Sequence, residues 1–475
     1  MTIIARFAIV FMLIMNCTDR LAALGAAVPE LLLPAPGTDL SKWAVIACDQ
    51  ATQDRRYWEE ANAIAGDAPS SLRLIYPEVY LEESGHENRI ASIHHNMKRY
   101  LETGVFAPPQ KTLVYVERDT PYNRARRGLV IALDLEFYDW KPGSAPMIRP
   151  TEGTVAERLP ARMDIRRNAP LEIPHILILI DDEENALLPA LGERAKTAPP
   201  IYDTELMLGA GRVKGWKLDD EAAWEMLANG LEKLGGKSEK SNGPKKFSGG
   251  SEKSGSEAAS FIYAAGDGNH SLAAAKAVWE EYKAAHRGDP GLMSHPARWA
   301  LVELENLYDP ALAFEPIHRL LFGTSAATLR QLLTKLPGYC CRKPGNPAEL
   351  AALVGDAHCS QLRLGLISGP DCFLVEADPV PLAIDALQPL LDAFVKEQGT
   401  KVTIDYIHGT DELFRLAGDS GATRNEGTTG ILLPPFRKQG LFETVAKHGP
   451  LPRKSFSMGE SCEKRFYLES RKLFW

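Results

Sequence analysis

The stretch FIYAAGDGNHS at residues 261–271 decides the fold class of this chain. Its first five residues form a short apolar run that is typical of a buried strand, and residues 272–285 favour a helix. Gly266 and Gly268 lie between the two. This order of strand, glycine loop and helix predicts a mixed α/β structure around the loop.

Further apolar runs of strand length occur on both sides of this stretch. Helical patterns separate many of them, including a charged stretch that follows the first run. The predicted buried strands lie at residues 43–47, 112–116, 129–133, 176–180 and 362–367. The same alternation therefore predicts a mixed α/β (α+β) fold for most of the chain.

The composition bounds the size, the partners and the compartment. The chain has 475 residues, of which 45% are hydrophobic, and is too long for one compact unit. Its formal net charge of -8 is opposite to the broad basic surface that non-specific nucleic-acid binding needs, so we expect no nucleic-acid partner. The seven cysteines show neither metal-ligand spacing nor a disulfide framework, which favours a reducing, cytoplasmic location.

We predict three parts: an N-terminal extension over 1–27, a core region over 28–298 and a C-terminal α/β region over 299–475. The extension contains an apolar run at 7–15 that is long enough for a signal peptide but too short to span a bilayer. Export therefore stays an alternative, and stable membrane insertion is not expected. Residues 236–258 are rich in Gly, Ser and Lys, which predicts a flexible insertion without a catalytic role.

The glycine loop is the main candidate site. Its backbone N–H groups and the positive end of the following helix dipole suit a phosphate or a carboxylate. Asp267 is a candidate to hold a divalent metal or to orient His270, while Gly268, Asn269, His270 and Ser271 are candidate anion ligands. The structural alternative is that Asp267 or Asn269 caps the helix and the glycines make the turn.

A second candidate is Glu152 in the run RPTEGT. A positioned carboxylate can take the proton of an acceptor hydroxyl, and guanidinium groups can hold a transferring phosphoryl group. Arg162 and Arg166 follow Glu152 in a segment that Pro160 keeps from being one continuous helix. The alternative is a solvated arginine face with Glu152 as a surface partner.

A third candidate lies in the run LPRKSFSMGE near the end of the chain. Arg453, Lys454 and Ser455 precede Ser457 and Glu460, whose capping-box spacing predicts a helix. The three residues would then grip an anion at a helix N-terminus, or form a basic turn in solvent.

Two isolated histidines, His318 and His408, are further candidates. Histidines beside apolar neighbours are more often satisfied core or turn residues than catalysts, so each also has a purely structural explanation.

These motifs, in this order, resemble those of a widespread domain-of-unknown-function family. The resemblance covers most of the chain, from residue 28 to residue 473. The blocks that carry it are VPELLLP at 28, KWAVIACDQ at 42, RPTEGT at 149, AGDGNHSLA at 265, EPIHR at 315, TIDYIHG at 403 and LPRKSFSMGE at 451.

The loop also resembles the Asp-Gly-x-His-Arg signature of the ParB/sulfiredoxin-like fold, whose members bind nucleotides and include kinases that act on free serine. Ser271 stands where that signature has arginine, so Arg162, Arg166 or Arg453 would have to replace this phosphate ligand. The resemblance implies a ParB/sulfiredoxin-like core elaborated with additional α/β segments. It also implies phosphoryl transfer from ATP, ADP or pyrophosphate, with Mg²⁺, to a small hydroxyl compound such as serine.

In the implied mechanism Glu152 takes the acceptor proton, Asp267 holds Mg²⁺, and His270 with the loop amides stabilises the transferring group. We therefore expect these three side chains to share one pocket. No Walker-type or protein-kinase motif set is present in the sequence. Two other functions stay open: a phosphatase or hydrolase at the same anion site, and a nucleotide-binding regulatory module without turnover.

Overall fold

The structure is a computed structural model that describes residues 16–141, 143–241, 260–418 and 427–475. The chain forms two compact units. The first unit comprises the described residues up to Pro150, together with Thr154–Leu312 and Glu460–Trp475. The second comprises Thr151–Gly153 and Ala313–Gly459.

A mixed sheet of nine strands forms the centre of the first unit's described part. Continuous apolar runs become its inner strands, because helices and loops cover both faces of the sheet. Ala26–Ala27 pairs with Arg126–Asp134 beside the main path. The other strands follow in the order Ile148–Pro150, Tyr263–Asp267, Leu177–Ile180, Trp299–Asn306, Arg126–Asp134, Leu113–Asp119, Arg212–Leu218 and Tyr202–Glu205.

Two strand pairs in this sheet are parallel. Tyr263–Asp267 runs parallel to Ile148–Pro150, and Trp299–Asn306 runs parallel to Leu177–Ile180. The other pairs are antiparallel. Two small antiparallel sheets pair Glu30–Leu31 with Gln110–Lys111 and Leu171–Glu172 with Arg471–Lys472.

Helices surround this sheet. Among the described residues, no helix is both long and apolar enough to cross a bilayer. The α-helices of the first unit are Cys17–Ala23, Leu40–Trp43, Arg55–Ala65, His86–Glu102, Leu159–Arg166, Leu187–Ala195, Glu221–Ser241 and Asn269–Ala285.

The second unit contains an antiparallel sheet of seven strands within its described part. Phe456–Met458 pairs with Phe314–Phe322 beside the main path. The other strands follow in the order Cys340–Arg342, Asp371–Ala377, Leu362–Ser368, Thr428–Leu432, Phe314–Phe322 and Thr403–His408. The α-helices are Ala326–Leu333, Pro347–Val354, Ala383–Gln398, Thr410–Gly418 and Leu441–His448.

The predicted mixed α/β fold is confirmed, and so is the strand, loop and helix order at the glycine loop. The predicted strand at 43–47 is wrong, although these residues are buried. The helix Leu40–Trp43 occupies the start of the run, and only an isolated bridge follows. The Ser71 hydroxyl accepts from the Val45 N–H at 3.3 Å and donates to the Trp43 carbonyl at 2.6 Å, so it replaces a neighbouring strand.

The predicted extension over 1–27 needs correction. Its run at 7–15 lies outside the described residues, but the helix Cys17–Ala23 belongs to the first unit. Leu21 is fully buried there, and Arg20 pairs with Glu232 at 2.7 Å. Of the predicted insertion over 236–258, residues 236–241 continue a helix, and residues 242–258 lie outside the described residues.

The predicted boundary between residues 298 and 299 does not match the division into units. The strand Trp299–Asn306 lies inside the first unit's sheet, and the segment Glu460–Trp475 returns to the same unit. Buried ion pairs involve both elements: Glu305 pairs with Arg126 at 2.9 Å, and Glu303 pairs with Arg465. Contacts between residues so far apart in sequence could not be read from local patterns.

The predicted helix after Ser457 is also wrong. Ser457 lies in the strand Phe456–Met458, and the capping box begins instead at Glu460 and closes a single 3₁₀ turn. The charged residues that follow look like one face of a helix in sequence. They are buried, however, and Arg465 contacts Glu303 and not solvent.

Candidate functional site

The glycine loop joins the strand Tyr263–Asp267 to the helix Asn269–Ala285 in the first unit. Gly268 is the N-cap and has φ +75°, a left-handed conformation that favours glycine. A Cβ there would also lie 3.1 Å from the Cα of Ile176. No side chain caps this helix, so neither Asp267 nor Asn269 has the capping role that we considered.

Asp267 forms an ion pair. Its Oδ2 lies 3.2 Å from Lys464 Nζ, and its Oδ1 accepts from the Gly268 N–H at 3.0 Å. Within the described ranges, no group of three or more His, Cys, Asp or Glu side chains is arranged to hold a metal ion. Asp267 thus forms a lysine–carboxylate pair, and its role as a Mg²⁺ ligand stays a prediction.

His270 and Ser271 follow in the first turn of the helix. His270 Nε2 accepts from the Val155 N–H at 3.2 Å. The Ser271 hydroxyl lies 2.9 Å from His175 Nε2, and His175 Nδ1 lies 3.0 Å from the Tyr467 hydroxyl. The loop serine is thus paired with a histidine from another segment of the chain.

Charged side chains surround this pair. Asp49 Oδ2 lies 3.8 Å from His175 Nε2, and Arg162 forms an ion pair with Glu78. Burial raises the pKa of Glu78, while the neighbouring Arg162 and His175 oppose that rise. We call Asp49, Glu78, Arg162, His175 and Ser271 the serine–histidine cluster.

Sequence patterns did not single out His175, Asp49 or Glu78. His175 lies 96 positions from Ser271 and outside any motif. Asp49 follows the apolar run at 43–47, which was a usable signal, because polar residues at the end of a buried run often face a site.

Arg166 takes part in a different contact. Its guanidinium lies 2.7 Å from Glu172 Oε1, and Arg471 pairs with the other oxygen of the same carboxylate. Burial alone would raise the pKa of Glu172, but the two arginines more than offset it and hold that pKa below the ordinary value. Glu172 thus neutralises Arg166, whose phosphate-binding role stays a prediction.

Glu152 lies in the second unit, where it contacts the predicted anion-binding turn. Its carboxylate accepts from the Ser455 N–H at 3.0 Å and from the Lys454 N–H at 3.3 Å. Burial raises the pKa of Glu152, and these backbone hydrogen bonds oppose the rise. Arg453 and Lys454 are exposed, and the turn precedes a strand and not a helix.

The structure thus brings Glu152 together with Lys454 and Ser455 in the second unit. Asp267 and His270 lie in the first unit. The pocket that Glu152, Asp267 and His270 were expected to share stays a prediction.

His318 is a satisfied core residue with only 2% of its surface exposed. Its Nδ1 accepts from the Leu433 N–H at 3.2 Å, and its Nε2 lies 3.4 Å from the Thr410 hydroxyl. Burial lowers the pKa of His318 to about 4, which keeps the ring neutral. His408 is exposed at the end of the strand Thr403–His408.

Residues 32–388 match the model of the family described as "Protein of unknown function (DUF1015)". The chain belongs to this family. No curated protein matches it. The DUF1015 match contains Ser271, His175 and Asp267, and it ends before Lys464 and Tyr467. The predicted membership in a domain-of-unknown-function family is confirmed.

Three solved structures show remote likeness to this DUF1015 chain. A free serine kinase in complex with AMP is 10% identical, with 75% of this chain and 95% of that chain covered and a TM-score of 0.36. A conserved hypothetical protein from Pyrococcus furiosus is 11% identical, with 69% and 89% covered and a TM-score of 0.32. SbnI with a C-terminal truncation, from Staphylococcus aureus, is 8% identical, with 70% and 83% covered and a TM-score of 0.31. The ParB/sulfiredoxin-like core stays a prediction.

Proposed function

We propose that this protein binds a phosphorylated donor at the glycine loop and transfers its phosphoryl group to a small alcohol such as serine. The observation that carries the proposal is the hydrogen bond of 2.9 Å between Ser271 and His175, in the first turn of a helix that no side chain caps. Phosphoryl transfer to an alcohol needs an anion site beside a proton acceptor, and this arrangement offers both.

The loop supports anion binding through its backbone. The first turn of the helix presents N–H groups and the positive end of the helix dipole, and the loop lies near two cations that side chains supply. Arg162 belongs to the serine–histidine cluster, and Lys464 contacts Asp267 at 3.2 Å. Each cation is already paired with a carboxylate, so a donor phosphate would compete with Glu78 and with Asp267 for them.

The donor is proposed to be ATP, ADP or pyrophosphate. In the first unit the proton acceptor beside the loop is His175, and the role of Glu152, which lies in the second unit, as a base stays a prediction. Phosphate release to water at the same site is the second candidate function, because His175 can activate a water molecule in place of an alcohol.

Calorimetric titration with ATP, ADP and pyrophosphate, with and without Mg²⁺, tests donor binding. Arg162→Ala should weaken binding by about 1.5–3 kcal/mol, the range for hydrogen bonds to charged groups, and Arg162→Lys should restore part of it. Arg56→Ala is the matched control, because Arg56 forms an exposed pair with Glu60. This variant should bind as wild type does.

Turnover separates the candidate functions. Incubation of each donor with serine should give phosphoserine, measured by mass spectrometry beside free phosphate. Free phosphate without phosphoserine would favour the hydrolase, and binding without either product would favour a nucleotide-binding regulatory module. If the wild-type protein binds none of the three anions, the proposed function is wrong.

A further inference from the structure

The hydrogen bond between Ser271 and His175 has the geometry of a nucleophile and its base. Ser271 is partly exposed in the first turn of the helix, so a donor can reach its hydroxyl. His175 comes from the segment just before the strand Leu177–Ile180, and the Ser271 hydroxyl lies 2.9 Å from its Nε2. A serine hydroxyl is a weak nucleophile by itself and becomes effective when an adjacent base takes its proton.

The other side of the imidazole is held by a buried phenol. Tyr467 is 1% exposed, its oxygen accepts from the Cys48 N–H at 3.1 Å, and it lies 3.0 Å from His175 Nδ1. Burial raises the pKa of Tyr467 and brings the pKa of Cys48 to about 12, so both groups stay protonated.

The Cys48 thiol also lies near the Tyr467 hydroxyl. We assign the hydroxyl proton to that sulfur, which leaves the phenol oxygen to accept from His175 Nδ1–H. His175 Nε2 then presents its lone pair to Ser271. The hydrogen bond at Nδ1 thus orients Nε2 toward Ser271, as catalytic histidines require.

Two carboxylates and one guanidinium lie near the His175 ring. Asp49 Oδ2 lies 3.8 Å from Nε2, and the Glu78 carboxylate also interacts with the ring. Arg162 neutralises part of that negative charge through its pair with Glu78.

We propose that Ser271 is the residue that first receives the phosphoryl group, with His175 as its general base. This inference rests on the proposed function and deepens it, because it replaces direct transfer between donor and acceptor by two steps through a phosphoserine of the protein.

In the first step the Ser271 oxygen attacks the terminal phosphorus of the donor. The Oγ–P bond forms, the bond between phosphorus and the bridging oxygen breaks, and the leaving group departs with that electron pair. The Ser271 proton moves to His175 Nε2, which passes it to the leaving group or to solvent. In the second step the acceptor hydroxyl gives its proton to Nε2 and attacks phosphorus. The Oγ–P bond then breaks, and Oγ regains the proton from Nε2.

The test is to mix the full chain with ATP, or with pyrophosphate, and to stop the reaction in acid at short times. Intact-mass measurement and peptide mapping should find one phosphoryl group on Ser271 in the wild-type protein. Addition of serine should discharge this group and give free phosphoserine at the same rate. Ser271→Ala should lose both labelling and transfer, whereas the exposed Ser294→Ala should retain both.

His175→Gln should slow labelling by about 10²-fold or more, the usual contribution of a general base, and the exposed His358→Gln should not. Thermal unfolding of each variant checks that it is folded, and Ser271→Cys provides a second nucleophile-site variant that keeps the size of the side chain. The thiol should accept the phosphoryl group far more slowly than the hydroxyl.

Wild-type rates of phosphoserine formation in folded Ser271→Ala would overturn the inference and leave the proposed function intact. A label on Ser271 that neither serine nor water removes would also overturn it, because an intermediate must turn over. If the wild-type protein neither binds a donor nor transfers from it, the inference and the proposed function both fail.

Discussion

The buried, neutral His318 should make the second unit less stable at mildly acidic pH. The imidazole is buried, and its Nδ1 accepts a hydrogen bond from the Leu433 N–H. A proton on Nδ1 would remove that acceptor and place a charge in the core. Burial lowers the pKa of His318 from its ordinary value of 6.5 to about 4, and the nearby Arg319 and His408 add to the effect.

The sign follows from proton uptake. Between pH 6.5 and about 4 the unfolded chain binds a proton at His318 and the folded chain does not, so the free energy of unfolding falls as the pH falls. The slope of the free energy of unfolding against pH reaches about 1.4 kcal/mol per pH unit. Integrated from pH 8 to pH 5, the pKa shift of His318 removes about 2 kcal/mol of stability.

Amide hydrogen exchange in the strand Phe314–Phe322 measures this loss, because all eight tryptophans lie in the first unit and fluorescence does not report on the second. His318→Asn keeps an acceptor near the position of Nδ1 but does not titrate. The difference in opening free energy between pH 8 and pH 5 should therefore be about 2 kcal/mol smaller in His318→Asn than in wild type. The exposed His358→Asn should match wild type. An unchanged pH dependence in His318→Asn would refute the reasoning.

Three further predictions concern the first unit and can be measured by urea unfolding followed through tryptophan fluorescence. Gly268→Ala should cost about 1–2 kcal/mol, because φ is +75° there, whereas Gly236→Ala in an open helical position should not destabilise. Glu172→Gln should cost about 3 kcal/mol, since it leaves two buried arginines without a counter-charge. It should also remove a stability contribution that is present above pH 4.5 and lost as the pH falls through the lowered pKa of Glu172. Lys464→Met should cost about 1–3 kcal/mol, and Lys233→Met, which breaks an exposed pair with Glu184 in the same unit, should show no change. Equal effects within either matched pair would contradict the reasoning.

Much of the fold could be predicted from apolar runs. The inner strands around 112–116, 129–133 and 176–180 are buried on both faces, so their sequences are continuously apolar. The glycine loop could also be predicted, because a strand, two glycines and a helix-forming stretch follow one another directly. The run at 43–47 shows the limit of this signal: its burial was predicted correctly, but it forms only one bridge, with Phe466, and the Ser71 side chain takes its other backbone hydrogen bonds at Trp43 and Val45.

The candidate site could be predicted only in part. The loop residues were found because they are contiguous, whereas the partner of Ser271 lies far away in sequence and outside any motif. Lys464 was missed for a different reason. The segment that contains it was predicted to be a helix from capping-box spacing, but it forms no α-helix, and its charges are buried against distant carboxylates such as Glu303.

The return of Glu460–Trp475 to the first unit has a consequence for biosynthesis. The ribosome makes all of 313–459 before it makes this segment. During that interval Glu303 has no Arg465 to pair with. His175, the partner of Ser271, likewise lacks its own hydrogen-bond partner Tyr467. The second unit can therefore complete its fold first, while the first unit, although begun earlier, waits in an unfinished form that chaperones can bind. A translational pause within 313–459 would prolong that exposed state.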